Sequence, residues 1–367
     1  MWMIVSVLLA CILIPVGIFL YWSYPGKPKS FVDKTGRPLP GSISEKIYVK
    51  INGVKQGMIL QSKDQRKPVL LFLHGGMPEF FLTQHYPTGL EDIFTVCWWE
   101  QRGAGISYDA NTLRETMTVE QMIGDTLEVT NYLRQRFGKE KIFLMAHSGG
   151  TFFGIQAAAR VPALYYAYIG VSQMVYQLQS EKLAYDYMLQ QFKSNGNTKM
   201  IRKLEAAPVT MTNGTPDAYR ALRDEAMHSL GIGTTHDMKS VIKEIFLASL
   251  QSREYTLMEK IRTWRAKANA GVALLWREML PADLSKTVTE FAVPIYFFHG
   301  VYDYTCSYPL AKSYFEKIKA PVKGFYTFER SAHSTIFEEP EKAQKILRED
   351  VLVGWNNLAD RQVEKQS

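Results

Sequence analysis

The sequence predicts an α/β fold: an eight-stranded, mostly parallel sheet with flanking helices, an inserted helical cap, and an apolar helix in front. Three observations predict it. Short apolar runs alternate with amphipathic helical stretches, glycine-rich motifs fall at the ends of those runs, and a long uncharged segment opens the chain. The 367 residues are 46% hydrophobic and 22% charged, a globular balance with ample material for a core. The formal charge is +7, but Lys and Arg are scattered among acids, which argues against nucleic-acid binding. Three cysteines, Cys11, Cys97 and Cys306, imply no disulfide or metal framework, and no cofactor is expected.

Trp2 to Trp22 carries no charge and would extend about 31 Å as a helix, enough to cross the hydrocarbon core. A cleaved signal peptide would need a basic leader, a shorter apolar stretch and a small-residue cleavage site, none of which is evident. The segment is therefore expected to be an uncleaved, single-pass anchor (2–22), with Trp2, Tyr21, Trp22 and Tyr24 as an interfacial aromatic belt. Lys27, Lys29, Lys34 and Arg37 all follow the span, so the positive-inside tendency puts the rest of the chain in the cytoplasm. Residues 23–44, rich in Pro and Gly, read as a linker.

The globular body is expected in three parts: a first core segment (45–171), a helical cap (172–293) and a second core segment (294–358). Strands are expected at 47–51 and 57–61, joined by a turn at Asn52–Gly53, and then at 69–73, 94–99, 142–146, 167–171, 295–298 and 324–328. Val119–Phe137 has helical spacing behind the cap residue Thr118 and reads as a crossover helix. In the cap, helices are expected around 181–192, 217–230, 238–250 and 262–279. Strand–helix–strand order implies right-handed crossovers, which gather functional loops at the C-terminal ends of the strands.

The chemistry-bearing motifs sit there. Ile142–Gly150 (IFLMAHSGG) runs from strand into helix with Ser148 at the turn, flanked by the small Ala146 and Gly150 that a strained nucleophile turn requires. After the third strand, His74-Gly75-Gly76-Met77-Pro78 can aim backbone amides at a substrate oxygen, so Gly76 and Gly149 are the expected oxyanion donors. An acid and then a histidine should follow at late strand ends, and Asp303 and His333 fill those vacancies. His333 would take the Ser148 proton while Asp303 holds its tautomer. His74, His147, His299, His228, His236, Glu329, Ser331 and Ser334 suit supporting roles better. Glu100 and Arg102, in a turn lacking any phosphate-binding signature, are expected to brace nearby loops.

From Glu45 to Leu347 the chain resembles the proline iminopeptidase family of α/β hydrolases, the S33-type serine peptidases. The likeness rests on HGGMP at 74–78, EQRGAGIS at 100–107, AHSGG at 146–150, HGVYD at 299–303 and FERSAHS at 328–334. It implies the same triad and the same two oxyanion donors. Family members usually carry HGGPG and DQRG, and a glycine and a tryptophan around the serine where this chain has Ala146 and Gly149. These departures leave acyl chemistry intact but weaken the inference of iminopeptidase specificity, which needs cap carboxylates for a substrate ammonium. Asp186, Glu205, Glu244 and Glu278 are the available cap acids. The expected activity is aminopeptidase cleavage of short peptides. The alternatives are a membrane-associated carboxylesterase or lipase-like hydrolase, and a non-catalytic ligand-binding protein.

Overall fold

A computed structural model of the chain describes residues 2–111, 114–269 and 272–361. Helix α1 (Trp2–Ser23) comes first. Its stretch Val5–Ser23 is long and apolar enough to cross a membrane, and Ile12, Leu13 and Leu20 on it are exposed. The side chain of Trp2 lies outside the described residues.

Strands β1 (Ile43–Ile51) and β2 (Val54–Ser62) form the hairpin, longer at both ends than the alternation suggested. Asn52 and Gly53 turn it with φ of 42° and 83°, the left-handed pair such tight turns need. Then follow β3 (Val69–Leu73), β4 (Thr95–Glu100), α2 (Val119–Phe137), β5 (Ile142–His147), α3 (Gly149–Arg160) and β6 (Tyr165–Val171). Thr118 caps α2, its hydroxyl accepting from Gln121 N. The sheet ends with β7 (Ile295–Gly300), helix α11 (Tyr308–Lys317) and β8 (Lys323–Phe328).

Strand order is β1-β2-β4-β3-β5-β6-β7-β8, antiparallel through β2 and parallel from β4 onward. Both faces are covered, as parallel sheets require. Leu71, Leu73, Leu144 and Ala146 face one apolar layer, while Leu70, Phe72, Phe143 and Met145 face the other.

Between β6 and β7 stand α4 (Gln177–Ser194), α5 (Thr198–Glu205), α6 (Asp217–Ser229), α7 (Leu247–Gln251), α8 (Leu257–Asn269), α9 (Val272–Met279) and the short α10 (Leu284–Thr287). Helix α5 escaped the sequence reading because it has only 8 residues. The single helix expected at 262–279 is instead two, α8 and α9, with residues 270–271 between them outside the described set. Helices α4 to α6 build a core of their own from Ala184, Met188, Phe192, Leu204, Tyr219 and Ala226. After β8 come α12 (Thr335–Glu338) and α13 (Pro340–Ile346).

The linker is irregular, as its composition dictates, yet it does not hang free. Gly26 N donates to Arg253 O (3.0 Å), Arg253 Nε to Tyr24 O (2.8 Å), and the Arg253 guanidinium covers the Tyr21 ring. Lys260 Nζ donates to Trp22 O at the end of α1 (2.8 Å) and to Leu250 O (2.5 Å). The stem of α1 is thus fastened to the helical cap.

Candidate active site

Ser148 stands between β5 and α3 with φ 53° and ψ −126°, a strained conformation that lifts its side chain out of the turn. Its neighbours must be small because the HGG loop passes close. A Cβ on Gly150 would come within 2.5 Å of His74 O, and one on Gly75 within 2.7 Å of the Ser148 Cβ. His74 is fixed by its Nδ1 against Gly75 O (3.0 Å) and its Nε2, which accepts from Gln101 N (3.2 Å). Burial lowers its pKa to about 4, so it stays neutral in this structural role. Gly75 N donates to Glu79 Oε1 (3.1 Å), whereas the amides of Gly76 and Gly149, at the loop tip and the head of α3, have no protein partner among the described residues.

Asp303 and His333 come together from the ends of β7 and β8. His333 Nδ1 donates to Asp303 Oδ2 at 2.9 Å, which leaves Nε2 as the acceptor. The other carboxylate oxygen accepts from Thr305 N and Cys306 N, both at 2.9 Å. Burial alone would raise the Asp303 pKa, but His333 and His299 outweigh it and hold the carboxyl well below its usual range. Burial lowers the His333 pKa despite Asp303, so its imidazole is neutral near pH 7, the form a general base needs.

Ser148 directly follows His147, whose Nε2 meets the His333 carbonyl at 2.8 Å. It makes no hydrogen bond to His333 in this state.

The supporting residues divide in an unexpected way. His147 does more than the sequence reading allowed: Nδ1 meets Glu79 Oε1 and Nε2 meets His333 O, both at 2.8 Å. Both ring nitrogens face acceptors, so both carry hydrogens and the ring is an imidazolium. Burial opposes that charge, but Glu79 outweighs burial and raises the His147 pKa; Glu79 in turn is held low by His147. The pair ties the HGG loop to the loop bearing His333, whose carbonyl also accepts from Ser172 Oγ (2.6 Å). Glu338 accepts from Ala332 N and Ser334 N on that same loop, and burial raises its pKa to about 7. Ser331 donates to Glu339 (2.7 Å). Glu79, Ser172 and Glu338 belong to no motif and carry no signal in the sequence, and Cys306 is read there only as part of no disulfide or metal framework.

His299 donates to Cys306 O (2.6 Å) beside Asp303. His228 and His236 are tied up inside the cap by Asp224 O and Gly231 O. Glu329 is exposed. Glu100 braces as expected, accepting from Ile106 N (2.6 Å) and from Tyr255 OH of the cap (2.5 Å). Arg102 instead forms a buried bidentate pair with Asp125 of α2, away from the serine.

Of the four cap acids, Asp186 and Glu205 pair with Lys182 and Lys193 at the surface, Glu244 accepts from backbone amides, and Glu278 is exposed. Glu181 is buried in the cap, as are Glu254 and Glu259. Glu181 Oε1 accepts from Gln177 Nε2 (3.0 Å), and its Oε2 accepts from Tyr219 OH (3.0 Å) and Arg223 Nε (2.7 Å).

The chain is similar to known α/β hydrolases. The family described as serine aminopeptidase, S33, matches residues 64–340. A probable aminopeptidase of Bacillus subtilis (strain 168), YbaC, is 29% identical over 307 residues, covering 83% of this chain and 95% of that one. A proline iminopeptidase-related protein of Thermus thermophilus superposes with a TM-score of 0.58 at 20% identity, over 85% of this chain and 98% of its own. A bacterial membrane phospholipase A superposes with a TM-score of 0.57 at 13% identity, over 96% of each chain. At these identities the two superpositions speak to the fold.

Proposed function

We propose, for a chain that belongs to the S33 serine aminopeptidase family of α/β hydrolases, acyl-enzyme chemistry with Ser148 as nucleophile, His333 as base and Asp303 as its orienting acid. The observation that carries this is the strained Ser148 at the head of α3 beside the 2.9 Å His333–Asp303 bond at the same sheet edge. Rotation of the Ser148 hydroxyl toward His333 Nε2 precedes attack. Ser148 Oγ then bonds to the substrate carbonyl carbon as its proton passes to Nε2, and the carbonyl oxygen becomes an oxyanion facing the Gly76 and Gly149 amides. Collapse expels the leaving amine or alcohol with that proton. Water, deprotonated by the same imidazole, releases the acid.

The primary reading is aminopeptidase action of the proline iminopeptidase kind on short peptides. A second reading, an ester hydrolase, is favoured by Glu181: its carboxylate is already occupied by three donors, so it offers little to a substrate ammonium. A panel of prolyl arylamides and short-chain acyl esters separates the two, with Ser148→Ala as control. Arylamide cleavage lost in the variant is expected; ester turnover without arylamide cleavage would reject the peptidase reading. Failure of a fluorophosphonate to label Ser148 would instead favour a non-catalytic ligand-binding protein.

We further propose that α1 is a single-pass anchor with the hydrolase on the cytoplasmic side. The basic residues after the span support this orientation. Digestion of the hydrolase body by protease added outside intact cells would overturn it.

A further inference from the structure

The cap holds a cavity of about 560 Å³ between α4, α6, α9 and the loop after Asp303, lined by Glu181, Thr215, Tyr219, Arg220, Arg223, Trp276, Arg277 and Thr305. Three of its lining side chains are arginines, and its one acid is neutralised by one of them. The Glu181 carboxylate has both oxygens occupied, as described above, so nothing on this wall invites a cation. The guanidinium groups differ. Arg277 has no hydrogen-bond or ion-pair partner among the described residues. Arg220 uses its two terminal nitrogens on Thr215 O and Asp217, leaving Nε. Arg223 uses Nε on Glu181 and one terminal nitrogen on Asp224, leaving the other. Asp217 and Asp224 do not line the cavity, and their side chains are 91% and 64% exposed, where water and salt screen them.

The cavity also adjoins the reacting groups. Thr305, on its wall, donates its amide to Asp303 Oδ1 (2.9 Å). Gln177 bridges Glu181 to Thr305 O (2.8 Å) and touches the Cys306 thiol (3.8 Å), and the Cys306 amide donates to Asp303 Oδ1 (2.9 Å). Gln177, Thr305 and Cys306 thus link the cavity wall to the carboxylate that holds His333.

We propose that this cavity is a substrate subsite for a carboxylate, so that the hydrolase prefers short substrates bearing a negative charge away from the scissile bond. Planar guanidinium groups with unpartnered donors match a carboxylate's two oxygens, whereas an ammonium would meet like charge. The carboxylate can be the free C-terminus of a short peptide or an acidic side chain or acyl tail. The inference builds on the reading of Ser148 as nucleophile and names the substrate class for that site.

Two measurements test it. With the full-length enzyme, kcat/KM is compared for nitrophenyl hemisuccinate against nitrophenyl butyrate, and for dipeptide substrates with free against amidated C-termini and with glutamate against glutamine. A preference of about tenfold for the charged member is expected in at least one arm, and the arm identifies the source of the carboxylate. In the double variant Arg220→Gln, Arg277→Gln that ratio falls toward unity through KM. Arg223 is left in place because its loss would strand Glu181. Separately, calorimetry on Ser148→Ala compares monomethyl with dimethyl glutarate, a readout that does not depend on turnover. Binding of the monoester alone, lost when Arg220 and Arg277 are also replaced, supports the subsite. Equal binding of the two esters, or a preference that survives the double substitution, overturns it.

Discussion

Two buried ion pairs, Glu79–His147 beneath the nucleophile and Glu181–Arg223 in the cap, are built from similar parts and leave different things over. In the first, the side chains are 8% and 6% exposed, and the hydrogen bonds beyond the mutual contact go to backbone, Gly75 N on one side and His333 O on the other, while Glu79 Oε2 stays buried without a partner among the described residues. That pair is closed off from solvent and holds the HGG loop and the His333 loop in register. In the second, the acid is saturated by side chains while its arginine keeps a terminal nitrogen free at a cavity wall. A pair closed by backbone positions; a pair closed by side chains around a cavity leaves donors for a substrate. The difference follows from location, since sheet-edge loops supply backbone groups and helix faces supply side chains.

The harshest way to break the comparison is His147→Phe. It leaves Glu79 buried without its cation, which costs about 3–5 kcal/mol of stability. Misplacing the loops should also lower kcat by about 100-fold. Thermal unfolding and steady-state kinetics check both, and a variant with ordinary kcat would show that the core pair positions nothing.

Glu79→Gln is gentler and sharper. Its amide oxygen, taking the Oε1 position, can still accept from both Gly75 N and His147 Nδ1, while the carboxylate charge that raises the His147 pKa is gone, so His147 gives up its positive charge more readily. Losing that positive charge, whose ring centre lies 4.9 Å from that of His333, makes the base easier to protonate. The groups facing His333 are Asp303, His299 and His147, and Glu338 clamps its loop. In the unaltered enzyme the acid limb of the kcat/KM profile should lie below the ordinary histidine value of about 6.5. In Glu79→Gln it should move up, and an unmoved limb counts against a charged His147.

Stability should follow the same pair. Glu79 is depressed, so its contribution is complete above about 4.5 and is lost as pH falls through its folded value; His147 is raised, so its contribution is complete below about 6.5 and is lost as pH rises through its folded value. The gap in urea midpoint between the unaltered protein and Glu79→Gln should therefore be widest between those values and narrow on either side.

The smallest effect is expected in the cap. Tyr219→Phe removes one of the donors to Glu181 and should cost about 1 kcal/mol without moving the acid limb. A shifted limb would mean that the two pairs are coupled.

Much of this site was legible in the sequence because it is local. A small residue on each side of Ser148, a glycine pair after β3, and an acid and a histidine at successive strand ends are constraints that a few adjacent residues must satisfy together. Helix α2 could be read to the residue because its cap and its apolar stripe lie within its own span. What bound these pieces could not be read this way. Glu79 is separated from His147 by 68 positions and Arg223 from Glu181 by 42, and no periodicity links such partners. The same holds for the linker, whose composition forbids regular structure and says nothing of Arg253 and Lys260 waiting to receive it.

The amino-acid order by itself determined the sheet, the strained serine and the candidate triad, since backbone conformation and strand-end placement answer to neighbours along the chain. Only the tertiary structure decided which buried charges are quenched and which donors remain for a ligand, because that depends on which acceptors distant segments bring within about 3 Å.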